Sequence, residues 1–156
     1  MDIPLLDMLF SILKIVIFPV LLGVILNRIF STPIQKNEPY LATLSMIFIL
    51  TIIAIVVSLN HDNMTSVGVL IMSAVILHNA IGLFSGYTIT YLFGYDAKVC
   101  RTIAIEVGMQ NSGLAVALAL KYFSPLSALP GAIFSIWHNL SGALLASYWS
   151  RKKSDI

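Results

Sequence analysis

The residues with chemistry to offer lie in one run, Glu106-Val107-Gly108-Met109-Gln110-Asn111-Ser112-Gly113. A carboxylate, two amides, a hydroxyl and two glycines are crowded into a segment, 97–122, that is otherwise apolar. Arg101 and Lys121 mark its wet ends. The helix between them is roughly 30 Å long, about the thickness of a bilayer's hydrocarbon layer. Glu106 therefore falls at membrane depth, where an ionised carboxylate is costly unless it meets a cation, a proton or a partner. Gln110 and exposed backbone carbonyls offer hard oxygens, which suit an alkali cation. Val107 and Met109 can contribute only carbonyls. Proton carriage by Glu106 stays open on the residues alone. Asn111 and Ser112 donate as well as accept, so they can meet a substrate's polar end or bond neighbouring helices.

Gly108 and Gly113 weaken the helix and allow close approach of backbone to a ligand. The run therefore predicts a discontinuous helix whose unwound middle faces a small cation, the way transporters build midplane sites. The competing reading is an unbroken helix whose polar residues only bond to other helices.

Such a site needs other spans to bury it, and the composition supplies them. Of 156 residues, 58% are hydrophobic and only 10% charged, with a mean hydropathy of +0.93. Soluble domains carry about 25% charge, so the expected class is an all-α, multi-span membrane protein. A net charge of +2 is too small and scattered for nucleic-acid binding. The single cysteine, Cys100, excludes an internal disulfide and has no metal or redox motif around it. Neither H-E-x-x-H, G-x-S-x-G nor a P-loop occurs, so an enzyme and a bound cofactor are not expected.

Five apolar segments can be read. The first spans about 5–26, with Lys14 inside and a kink expected at Pro19; the loop STPIQKNEP follows. The second spans about 40–59, with Pro39 in its first turn, and ends at the polar turn Asn60-His61-Asp62-Asn63. The third spans about 66–93, and Gly82 and Gly86 form a small-xxx-small packing face. Its His78-Asn79 pair reads as packing. The broken fourth segment, 97–122, follows Gly94-Tyr95-Asp96. The fifth spans about 129–149, opens on Pro130-Gly131, carries Trp137-His138-Asn139 near its centre and ends in a basic stop, Arg151-Lys152-Lys153.

Arg28, Lys36, Lys98, Arg101, Arg151, Lys152 and Lys153 fall on one side of this threading, and Lys121 on the other. The bias places the C-terminus in the cytoplasm and the N-terminus outside, in an inner or plasma membrane. The acidic start, MDIPLLDM, is no cleavable signal. An N-out start suits the second half of a longer protein. Asn63-Met64-Thr65 fits a glycosylation sequon but lies too close to the bilayer to weigh.

The strings RTIAIEVGMQNSGLA and PGAIFSIWHNLSGALLASYW resemble the C-terminal end of the bile acid:sodium symporter family. FPVLLGVILNR, EPYLATLS and LHNAIGLFSGY are consistent with it. The resemblance implies ten membrane helices in two inverted five-helix repeats, of which this chain would be the second. Residues 1–60 would then be two panel helices, and 61–156 three core helices with the broken helix at 97–122. It further implies sodium ligands at Glu106, Val107, Met109 and Gln110, and substrate contacts at Asn111, Ser112, His138 and Asn139. Sodium as coupling ion, a small organic anion as substrate, surrounding membrane lipid and a separate N-terminal half are the partners expected. The first repeat's ligands are missing from these residues, which leads to the expectation of a half-transporter, incomplete alone, or an inert membrane fragment.

Overall fold

The computed structural model describes residues 4–151, and among them no strand occurs. Six helices follow one another: α1 (Leu5–Ile29), α2 (Ser31–Leu59), α3 (His61–Leu92), α4 (Ala97–Gly108), α5 (Ser112–Tyr122) and α6 (Pro125–Arg151). The helices α1, α2 and α3, and α4 with α5 taken together, are long and apolar enough to cross a membrane. At 27 residues α6 has the length, roughly 40 Å. Its Trp137-His138-Asn139 core and five serines make it more polar than those four, so the expected fifth apolar segment is not among the helices apolar enough to cross.

Several joints differ from the sequence expectation. The presumed loop STPIQKNEP is the first third of α2, and Pro39 lies inside that helix rather than in its first turn. Local bonds keep the stretch helical: Asn37 Nδ2 donates to the Pro33 carbonyl at 2.8 Å, and Thr43 Oγ1 to the Pro39 carbonyl at 2.8 Å. The polar turn shrinks to Asn60, because His61, Asp62 and Asn63 form the first turn of α3. Pro125 rather than Pro130 opens α6, and Pro130 sits inside it. In α1 the helix runs through Pro19, and a wider π turn, Leu13–Ile17, precedes it. Proline has no N–H for the carbonyl four residues back, and a π turn is a usual way to absorb such a defect. Lys152 and Lys153 of the basic stop, with the first three residues, lie outside the described residues.

The helix α6 is the hub, packing on α5, α3 and α2, while α4 lies along α3. On one side Ile53, Val56, Val116, Ala128 and Ala132 close together; on the other, Val75, Leu129, Ile133 and Phe134. Lipid tails are as apolar as these side chains, so close fit and interhelical hydrogen bonds, not water exclusion, hold the bundle. The Gly82/Gly86 face shows that fit. A Cβ on Gly86 would stand 3.0 Å from Ala104 Cα, and one on Gly82 3.0 Å from the Val107 carbonyl oxygen. Buried Asn60 ties the α2–α3 joint to α6, donating to the carbonyls of Val56 at 2.8 Å and Pro125 at 2.9 Å.

Candidate ion and substrate site

The fourth span is interrupted where its polar run predicted. α4 opens under a regular cap, Asp96 Oδ1 accepting from the Val99 N–H at 2.9 Å, and stops at Gly108. Met109, Gln110 and Asn111 leave the helical conformation, and α5 restarts at Ser112 with Asn111 Oδ1 accepting from the Leu114 N–H at 3.1 Å. Two helix ends of opposite partial charge thus meet in the middle of the span: carbonyls from α4, N–H groups from α5. Of the two glycines, Gly108 is the one the packing requires, since a Cβ there would meet Leu83 Cδ2 at 2.5 Å. Gly113 has ordinary room.

The unwound carbonyls are unequally engaged. Met109 N–H bonds Ile105 O at 2.8 Å, Gln110 Nε2 donates to Val107 O at 2.9 Å, and buried Asn79 Nδ2 holds Gly108 O at 3.0 Å. Among the described residues no hydrogen bond reaches the carbonyls of Glu106 or Met109, nor the Glu106 carboxylate. With its nitrogen on Val107, Gln110 keeps Oε1 open. Carboxylate, amide oxygen and two unclaimed carbonyls are hard oxygens of the type an alkali or alkaline-earth cation takes rather than a soft metal, and the Glu106 and Gln110 side chains that carry two of them are exposed. No group of three His, Cys, Asp or Glu side chains gathers among the described residues.

Beside the break lies an open cavity of about 850 Å³. Gln110, Asn111, Ser112 and His78 are its polar lining; Leu70, Val75, Leu118 and Phe134 are among its apolar walls. Ser112 Oγ is 2.6 Å from Ser135 Oγ, a buried bond that pins the start of α5 to α6. Asn111 and Ser112 therefore line the cavity with Gln110, whereas His138 and Asn139 are not among its lining residues. Asn139 Nδ2 donates to the Ser135 carbonyl at 2.6 Å, and His138 is buried behind Phe134, their ring centroids 5.3 Å apart. His138 Nδ1 and Trp137 Nε1 are buried with no partner among the described residues.

His78 and Asn79 carry more than packing. His78 walls the cavity and also packs against the Phe134 ring, 5.5 Å between centroids. Asn79 is an organiser: it holds the Gly108 carbonyl and accepts from Ser141 Oγ at 2.8 Å, joining α3, the break and α6. The signal was a histidine–asparagine pair deep in an apolar span, the same pair that recurs at 138–139.

A family model described as the Sodium Bile acid symporter family matches residues 1–67. The chain is 51% identical over 142 residues to "Uncharacterized sodium-dependent transporter YocS" of Bacillus subtilis, covering 91% of this chain and 44% of that protein. It is 36% identical over 137 residues to "Probable sodium/metabolite cotransporter BASS1, chloroplastic" of Oryza sativa subsp. japonica, covering 87% and 34%. With "Probable sodium/metabolite cotransporter BASS5, chloroplastic" of Arabidopsis thaliana it shares 37% over 152 residues, covering 94% and 37%. The chain spans less than half the length of these curated relatives.

Proposed function

We propose that this chain, matched over residues 1–67 by the Sodium Bile acid symporter family model and similar to sodium-dependent transporters, is the C-terminal half of a sodium-coupled symporter of organic anions. The observation that carries this reading is the interrupted fourth span, with unclaimed oxygens at Glu106, Met109 and Gln110 beside a cavity that Asn111 and Ser112 line. Sodium is held by the Glu106 carboxylate, the carbonyls of Val107 and Met109 and Gln110 Oε1. The Val107 carbonyl accepts from Gln110 in the ion-free chain, and its second lone pair remains for the ion. Asn111 and Ser112 meet the substrate's polar end beside the N-terminus of α5, whose dipole favours negative charge. His138 and Asn139 reach the substrate only once Phe134 moves aside, and the orphaned His138 Nδ1 supports that role.

In this reading α1 and α2 are panel helices, and α3 to α6 form the core of an inverted-repeat half. Coupling follows from the shared unwound segment: binding sodium neutralises Glu106 and fixes the backbone, which sets Asn111 for the substrate. The membrane is an inner or plasma membrane with the N-terminus outside.

The test is uptake by vesicles holding this chain together with the first half of a full-length relative. Glu106→Ala is expected to abolish sodium-dependent uptake, and unchanged sodium dependence would refute the ligand role. Replacing sodium by choline at fixed pH separates sodium from proton coupling: uptake that persists identifies the proton-coupled carrier of the same architecture. No uptake with any first half would leave a helix-packing membrane fragment.

A further inference from the structure

Far from the break, α1 carries a charge for which the transport reading has no use. Lys14 sits in the π turn, nine residues along from Leu5, roughly 13 Å into the helix. Its side chain is exposed, and among the described residues no acid pairs with it; the ion pair found there is His61–Asp62. An ammonium at that depth on an outer face needs the interface or an anion. Helix side chains lean toward the N-terminus, so Lys14 reaches back toward the end that holds Ser11. Three residues apart, Ser11 and Lys14 are neighbours on the helix surface.

A second ammonium is already at that level. Lys121 Nζ donates to Ser11 Oγ at 2.6 Å and stands 5.0 Å from the centroid of the Tyr122 ring. Ser11 Oγ in turn lies 2.5 Å from Tyr122 Oη, which donates to the Asp7 carbonyl at 2.8 Å. Lys121 has used one of its three donors on Ser11. The Asp7 side chain is exposed one turn nearer the helix end, so the net positive charge is centred on the level of Ser11 and Lys14. A groove of about 510 Å³ runs along the same helix past Lys14, lined by Phe10, Leu13, Lys14, Ile17, Phe18 and Leu21. From Lys14 toward the membrane centre it covers roughly 10 Å, enough for the upper part of one leaflet's acyl chain.

We propose that this face of α1, with the end of α5, binds an anionic phospholipid. The phosphodiester sits between Lys14 and Lys121, and one acyl chain lies in the groove below. The charge complementarity and the polar-over-apolar order along α1 match a lipid standing in the leaflet that holds the N-terminal end of α1.

Native mass spectrometry of the full chain reconstituted with phosphatidylglycerol or with phosphatidylcholine of the same acyl composition tests this. Phosphatidylglycerol is expected to be retained in preference. Lys14→Gln should lower its retention roughly fivefold, the factor equivalent to ~1 kcal/mol for one basic residue near an anionic surface. Lys14→Arg should preserve it. Ile17→Trp, which fills the groove without altering charge, should reduce retention of the bound lipid and serves if Lys14→Gln fails to fold. Equal retention of the two lipids, or retention indifferent to Lys14→Gln, would overturn the proposal. So would displacement of the lipid by millimolar inorganic phosphate, or carbodiimide coupling of Lys14 in native membranes to a carboxylate of another protein. Uptake is not part of the readout, so failure here leaves the transport reading untouched.

Discussion

The first two helices and the last four solve different problems with the same apolar alphabet. Along α1 and α2 the outward positions are Leu, Ile, Val and Phe, and their buried residues are few: Ser11, Ile53 and Val56. Along α3 to α6 the buried set mixes apolar with polar, including Asn79, Thr90, Ser112, Ser135 and His138. Apolar residues on a membrane helix cost little wherever they point, so they say nothing about neighbours. A buried amide or hydroxyl has to find a partner, and in finding it fixes how two helices meet. The polar half of the chain is therefore the half with a defined interior.

That contrast can be broken at chosen residues. The largest stability effect is expected at Gly86, where α3 backbone touches α4 backbone. Gly86→Leu should separate the pair and destabilise by about 1–3 kcal/mol or more, as overpacking does, read as a fall in the thermal unfolding midpoint in detergent. Little change there would mean that α3 and α4 do not approach as described. Asn79→Leu is expected to follow closely. It orphans the Gly108 carbonyl and removes one of the two acceptors of the Ser141 hydroxyl, at about 1–3 kcal/mol for a buried unsatisfied group. It should also loosen the break, seen as faster amide exchange at Met109 to Asn111.

Ser112→Ala removes the 2.6 Å bond to Ser135. A loss of about 0.6 kcal/mol is expected, the usual worth of such a bond between membrane helices. A shift of similar size has the opposite sign and belongs to the apolar half. Gly23 in α1 has open space around it, so Gly23→Ala should stabilise the helix by about 0.5–1 kcal/mol. If Gly23→Ala destabilised as much as Gly86→Leu, the division of the molecule into a loosely and a closely packed half would fail.

The interrupted span was legible before any coordinates, because Glu106, Gln110 and Asn111 have no business on a lipid-facing helix and Gly108 permits the stop. The Gly82/Gly86 contact was legible for a similar reason, since small residues four apart leave a flat stripe for a neighbouring backbone. Less could be read of the joints. Pro39 and Pro130 read as helix starts, yet each sits inside a helix, because a proline's single missing bond is tolerated when the following turns and the lipid favour continued helix.

Residue types alone determined that this chain is a multi-pass membrane protein and where its polar run must lie, since the transfer cost of each side chain is a local property. Which polar atoms meet was a tertiary decision. Gly108 is held by Asn79 from 29 residues upstream, Ser112 by Ser135, and His78 reaches the cavity while His138 is shut behind Phe134. Spacing along the chain specifies the face of a helix a side chain occupies. The neighbour that face receives depends on how the helices cross, and that is set by the close fit of all of them together.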